Sequence, residues 1–461
     1  MISTEGLPAA VPALLDDLLE QALRARQRRV LTADHPGMHL GALAACDVLI
    51  DRTVRAASLH GHAALQRLDA RLDVRTTDSP NPASHAAADA TVFLRVSLAV
   101  QMQERSLADL VRRHVDAQPR AVYDALRFMP VPTTPFQPQD AHIVQVFAQA
   151  GRHPQWLPWA LRLAGERDVK ALQPRIEALL PTHAAEAHVA LACMDRPTPD
   201  SGPFVDAALL SGDAARIADG LRIAAVAPAL ATDLALVQGL DQLPAGHPAA
   251  DIAWGLLATR HPQATLEHAR TRAGLPAALW LRLVALTGCF DAVLDVCAGL
   301  AAQADGLSAA QADVLTLALG QVPAELRVRP GNPATGSQAL RALVLRVCRQ
   351  CYLGVRPGAE QIDSTECAEP RSWTSQHLLA EPAAASTLRL RQGRPLAAGV
   401  PPLGPWVRDV THGLRQWLYL ERAATGGRAL ALSAWDVSRR QDLALAVAAL
   451  APTVHDGLPD Q

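Results

Sequence analysis

Apolar residues recur along most of this chain at spacings of three, four and seven, the mark of one helical face turned toward a core. From Pro12 to Val30 the positions Leu14, Leu15, Leu18, Leu19, Ala22 and Leu23 form such a face. Pro12 suits a first helical turn, where its missing N–H has no partner to lose. Further helices are expected at Leu40–Leu59, His62–Val74, Ala86–Gln103 and Leu107–His114. The polar stretch 75–84 (RTTDSPNPAS) is expected to be a linker, because Pro80 and Pro82 interrupt a helix. Alternation with period two is hardly found, so few or no strands are expected.

A second break, FMPVPTTPFQP over 128–138, carries four prolines in eleven residues and is expected to divide domains. Beyond it, 139–322 consists of short helical segments separated by Pro or Gly, such as HPQWLPWALRLAGERD, DAARIADGLRIAAVAP and HPQATLEHARTRAG. Each pair of helices occupies roughly 30 residues, with drift and no strict signature, as degenerate helical repeats do. The last section, 327–461, opens with the polar RPGNPATGSQ and continues with a helix at Leu340–Cys351 and a loop-like run at 354–374. Helices follow near Leu403–Tyr419, Glu421–Thr425 and Asp436–Leu450. The expectation is therefore an all-α chain in three parts: a helical domain at 1–127, helical repeats at 139–322 and a helical section at 327–461.

Composition narrows the function classes. Hydrophobic residues make up 49% and charged residues 19% of 461, but aromatics only 4%, so the core is mostly Ala, Leu and Val. Small side chains let helices approach closely, and Ala and Leu favour helix. The formal net charge is −2, which gives no global field toward nucleic acid or an anionic membrane. Lys170 is the only lysine, and the remaining basic residues are arginines suited to forked contacts with carboxylates. Seven scattered cysteines fit a reducing compartment better than a disulfide framework. The acidic opening Met1–Asp17 lacks the features of a signal peptide, and no charge-free run of roughly 18 apolar residues is present. A cytoplasmic location is expected.

Two stretches resemble a family of uncharacterised proteobacterial proteins with HEAT-like repeats: LGALAACDVLIDRTVRAASLHG at 40–61 and RLRQGRPLAAGVPPLGPWVRDVTHGLRQWLYLERAATGG at 389–427. Asp47 and Gly61 fall on the Asp and Gly of that family's N-terminal segment. Gly393, Pro395, Gly413, Arg415 and Glu421, followed by Arg440–Gln441, fall on its C-terminal pattern. Val48 and Leu49 stand where members often carry a charged pair. The resemblance implies a HEAT-like helical-repeat solenoid of unknown activity. Relatives are sometimes encoded among type VI secretion genes, which implies an accessory, adaptor or chaperone-like role.

Candidate chemistry is sparse. Cys348 and Cys351 form the one C-x-x-C; Cys367 and His377 could complete a zinc set only on paper. His35, His39, His60 and His62 cluster around one helix, but His39 and His60 stand roughly 30 Å apart along it. No phosphate-cradling loop, nucleophile elbow or H-E-x-x-H occurs, and Gly393 and Gly426–Gly427 look like helix stops. No metal, cofactor or catalytic set is expected, and the chain is not expected to be an enzyme.

The residue types that carry interface energy concentrate in two places: Trp156, Trp159 and Arg162, at helical spacing, and Trp406, Arg408, Arg415 and Trp417. A protein-binding scaffold is the expected function, its partner a secretion effector, spike component or chaperone. A toxin-binding immunity protein is a variant of that role. The alternative, a nucleic-acid protein with Arg162, Arg175, Arg216, Arg222 and Arg272 converging in a groove, is weakened by the charge balance.

Overall fold

The computed structural model describes residues 12–34, 38–75, 82–102, 104, 106–128, 156–166, 170–244, 246–301, 307–327, 333–351, 353, 374–380, 387–396, 403–426 and 441. The expected domain break over 129–138, the loop at 35–37, Cys367 and the helix expected at Asp436–Leu450 (Gln441 apart) lie outside them. The fold is all-α, with one two-stranded hairpin of two residues per strand among the described residues. The chain forms two compact units, one of Met1–Thr198 with Trp435–Asp442 and one of Pro199–Ala434 with Leu443–Gln461.

The first unit contains α1 (Pro12–Asp34), α2 (Leu40–Ser58), α3 (His62–Arg75), α4 (Pro82–Gln101), α5 (Leu107–His114), α6 (Pro119–Phe128), α7 (Leu157–Glu166), α8 (Gln173–Glu177) and α9 (Ala184–Cys193). Every residue of α4 from Ala90 to Val100 is buried, so this helix is apolar nearly all round and serves as the axis of the bundle. Helices α1, α2, α3, α5 and α6 pack against it. Of the polar members of that run, the Thr91 hydroxyl donates to the Ala87 carbonyl and Arg95 reaches Asp69 and Glu104, whereas the buried Ser97 hydroxyl has no partner among the described residues. Helix α7 crosses α9 so closely at Gly165 that a Cβ there would sit 2.6 Å from the Ala190 carbonyl oxygen.

Two expectations for this unit need correction. Pro82 does not end a linker; it opens α4, where its fixed φ suits the first turn. A helix was not anticipated at 119–128, yet Pro119 opens α6 in the same way.

The second unit contains α10 (Ser201–Leu209), α11 (Ala214–Val226), α12 (Asp233–Gln242), α13 (Ala250–Arg260), α14 (Pro262–Thr271), α15 (Ala277–Thr287), α16 (Phe290–Ala301) and α17 (Ala309–Val314), which continues into a π turn at Leu315–Leu319. After α18 (Ala324–Arg327), α19 (Pro333–Gln350) and α20 (Ser375–Leu378) come β1 (Leu390–Arg391), β2 (Arg394–Pro395), a 3₁₀ turn (Pro405–Arg408) and α21 (His412–Gly426).

From α10 to α15 most helices pack on the next, α11 and α12 excepted, and α10 on α12, α11 on α13 and α13 on α15 also pack on the next but one. Caps punctuate the stack: the Asp213 carboxylate accepts from the amides of Ala215 and Arg216, Thr232 from Ala235, and Ser308 forms a capping box with Gln311. The helix expected from Leu403 begins only at His412 and runs unbroken through the separate helix expected at Glu421–Thr425. Pro405 confines the preceding residues to a 3₁₀ turn.

Candidate functional site

In the first unit α6 and α7 bring together an aromatic and charged cluster. Trp156 stands just before α7, its carbonyl receiving the Ala160 amide at 2.9 Å. It is 1% exposed, and its indole N–H has no hydrogen-bond partner among the described residues, so Trp156 packs in the core. One turn on, Trp159 is only half-buried and lies against Tyr123 of α6, ring centres 5.0 Å apart at an interplanar angle of 50°.

The Tyr123 hydroxyl donates to Glu166 Oε1 at 2.8 Å, and Arg162 Nε donates to the same oxygen at 3.0 Å. Arg127 Nε lies 2.7 Å from the other Glu166 oxygen. The guanidinium of Arg127 stands 5.2 Å, and that of Arg162 5.8 Å, from the Tyr123 ring centre, both in cation–π range of the ring. Burial opposes the charge of Arg162, but the Tyr123 oxygen and the Glu166 carboxylate outweigh it and keep the guanidinium protonated. With its side chain 45% exposed, Arg162 meets solvent while being held in place from below.

The second cluster is built on the hairpin. Gln392 and Gly393 take φ of 55° and 70°, the paired left-handed residues of a tight turn, and Arg391 pairs with Arg394 across it. Gly393 is thus the corner of a hairpin and not the expected helix stop. The hairpin supplies donors to two helix ends whose last carbonyls lack intrahelical partners. At the end of α15, the Leu390 amide donates to the Gly288 carbonyl at 2.7 Å and Arg389 Nε to Thr287 at 2.8 Å. At the π turn, the Gln392 side chain reaches Thr316 at 2.6 Å. The amides of Gln392 and Gly393 reach Leu317 and Ala318.

Arg391 is buried and grips Glu421 of α21 with two bonds of 2.9 Å, while also donating to the Leu286 carbonyl at 3.0 Å. Arg415, fully buried, reaches His412 Nδ1 at 3.3 Å, and desolvation pulls its proton affinity down. Asp313 accepts from the Thr411 amide at 2.9 Å and from its hydroxyl. Trp417 is buried against Gly255 of α13, with Arg282 5.0 Å from its ring centre. Trp406 is half-buried against Gly404, and Arg408 is exposed.

Burial therefore takes Trp156, Arg415 and Trp417 off the surface, while Trp159, Arg162, Trp406 and Arg408 retain exposed area. Several residues on which the resemblance was read have structural work here. Glu421 holds Arg391, Asp47 pairs with Arg29 at 2.5 Å in the interior, and Gly61 takes φ of 56° just after α2. Tyr123, Arg127 and Glu166 were not anticipated. The i, i+4 spacing of Arg162 and Glu166 was the available signal, whereas Tyr123 and Arg127 belong to the unanticipated α6.

Other reactive groups are quiet. Burial pushes the Cys348 thiol up to about 12, and that of Cys297 likewise to about 12, so both remain protonated thiols at neutral pH. Cys351, one turn after Cys348, has its sulfur 3.9 Å from the Gly393 carbonyl. Among the described residues no cluster of three or more His, Cys, Asp or Glu could hold a metal ion. His39 occupies the N-cap position of α2 without a side-chain bond to it.

Of the five arginines expected to converge in a groove, Arg162, Arg222 and Arg272 are engaged with Glu166, Asp219 and Asp241. No helix among the described residues is long and apolar enough to cross a membrane. Comparison with protein-family models, curated proteins and solved structures found no match to this chain.

Proposed function

We propose that this chain is a non-enzymatic, cytoplasmic protein-binding scaffold or adaptor with HEAT-like helical repeats, an accessory factor of type VI secretion. The observation that carries the binding role is the Trp159–Tyr123–Arg162 surface of the first unit. Its half-buried indole rests on Tyr123, and its exposed guanidinium is held by the buried Glu166, which Arg127 also engages, so little side-chain freedom remains to be lost on binding. Trp and Arg in such a setting are the residues around which interface energy concentrates. The secretion role rests only on the resemblance at 40–61 and 389–427.

The test is capture with the tagged full chain from its native cells at about 0.15 M and about 0.5 M salt, conditions that separate screened from unscreened contacts. One or two proteins retained at both salts, with loss of roughly tenfold or more for Trp159→Ala, is the expected result. Nucleic acid alone, lost at the higher salt, or capture indifferent to Trp159→Ala and Arg162→Ala, would overturn the reading.

A further inference from the structure

The outer face of α2 is not what a solvated helix usually carries. Its exposed positions are Gly41, Ala45, Val48, Leu49, Arg52 and Arg55, one stripe at spacings of three and four. The first half is small and apolar and the second half basic. The opposite face, with Leu43, Ile50 and Val54, lies in the core, so both faces of this helix carry apolar residues where one is expected to be polar. Seven large apolar side chains are exposed among the described residues, and five of them (Leu14, Leu31, Val48, Leu49, Leu59) belong to α1, α2 and its C-cap. Val48 and Leu49 are adjacent, 48% and 41% exposed.

The charges beside them are one-sided. Asp47 is held in the interior by Arg29, and Asp51 is paired with Arg55 at 3.0 Å. Arg52 is exposed and has no ion-pair partner among the described residues; the same holds for Arg28 of α1, the neighbour of the Arg29 that bonds Asp47 where α1 packs on α2. An apolar pair is thus flanked by positive charge that nothing within the described fold neutralises. At Gly41 a Cβ would meet nothing within 4 Å, so the backbone there is open to close approach.

We propose that this face seats an acidic amphipathic helix of a partner protein, with apolar side chains on Val48 and Leu49 and carboxylates on Arg28 and Arg52. The proposal rests on the scaffold reading but concerns a surface separate from Trp159 and Arg162. A second copy of the chain would bring arginine to the same face and leave these charges unpaired. Nucleic acid would have no use for the apolar pair.

The probe is a labelled synthetic helix of roughly 18 residues, about the length of α2, carrying Leu at three-four spacing and Glu elsewhere. A Lys-for-Glu version and a scrambled Leu/Glu version serve as controls, with fluorescence anisotropy on the full chain as the readout. The acidic amphipathic helix binds, and both controls bind more weakly. Val48→Glu with Leu49→Glu lowers its affinity about tenfold, and Arg52→Ala about threefold with a shallower salt dependence. Because Val48 and Leu49 are exposed, circular dichroism and the melting temperature of the double variant match the parent.

Absence of binding by the acidic helix, equal binding by the Lys version, or binding that survives the double substitution overturns the proposal. So does sedimentation in which the same double substitution dissociates a dimer, or loss of binding to phosphatidylserine vesicles as the only change. Capture through Trp159 in the same preparations reads the scaffold role separately, so failure of either can be told from failure of both.

Discussion

The two units use arginine differently, and the difference separates a bundle from a repeat. In the first unit, buried arginines join helices far apart in the chain: Arg26 bonds Asp89 at 3.2 Å and Asp124 at 2.6 Å, across 63 and 98 residues. Its guanidinium also lies over the Phe93 ring of α4. In the second unit three arginines reach back by nearly one helix pair, whereas Arg389 and Arg391 of the hairpin reach across 102 and 105 residues. Arg260 donates to the carbonyls of Ala231 and Pro228 and to Asp233, separations of 29, 32 and 27 residues. Arg272 donates to Leu240 and Leu243 across 32 and 29 residues, and Arg282 to Asp251 across 31. The shared reach of these three arginines caps or bridges helices about one pair earlier, so these polar contacts fit the spacing of a helical repeat. The first unit has no such constant reach and is organised around the single apolar helix α4.

The largest effect is expected where the second unit departs from simple repetition. Glu421→Gln leaves Arg391 buried without its counter-charge and should cost about 3–5 kcal/mol. Hydrogen exchange should then speed up first in α15, the π turn and α21, and not in α1–α6; uniform acceleration would break the comparison. Arg26→Met leaves Asp89 and Asp124 facing each other across a lost cation, with a cost of about 3 kcal/mol in urea unfolding. Gly288→Ala should cost roughly 2 kcal/mol. Its φ is 62° and a Cβ there would collide with the Leu390 carbonyl that the hairpin presents. Arg272→Ala, by contrast, removes a partly exposed cap and should cost about 1 kcal/mol, since water can replace it at the Leu240 and Leu243 carbonyls.

The smallest effects concern pH and sharpen the picture of the first unit. Burial raises the Asp89 carboxyl above its ordinary range, beyond what Arg26 can offset. At Asp124 burial acts in the same direction but is outweighed by Arg26, which holds that carboxyl low. The two therefore have opposite signs in stability. Asp89 binds its proton more readily folded than unfolded, so the fold gains stability as pH falls through its raised value toward about 3.9. Asp124 contributes stability that is present above about 3.9 and is lost as pH falls through its lower folded value. Urea midpoints between neutral and acid pH should lose the first feature in Asp89→Asn and the second in Asp124→Asn. Identical profiles for the two variants would contradict this division.

Much of the helical content was legible because period and punctuation agree. Leu107–His114 was bounded correctly, with Ser106 before it and basic residues in its last turn. Pro262 after His261 marked the start of α14. What escaped was decided by tertiary contact or by the direction in which a signal is read. Pro82 and Pro119 are ambiguous in sequence, since proline both ends a helix and begins one. The hairpin at 390–395 is too short for any alternation to be seen, and it exists because two helix ends need donors. At the candidate site, the tryptophan and arginine types drew attention to α7. Which of them reached solvent depended on α6, since Tyr123 supports Trp159 and Arg162 while Trp156 turns inward.

The central claim, that the exposed Trp159–Arg162 surface recognises a protein, is tested most directly by hydrogen exchange on the full chain, alone and with its captured partner. Slower exchange over α6 and α7, lost together with the partner in Trp159→Ala, is the result expected. Protection confined to the helix stack of the second unit, or none at all, would contradict it.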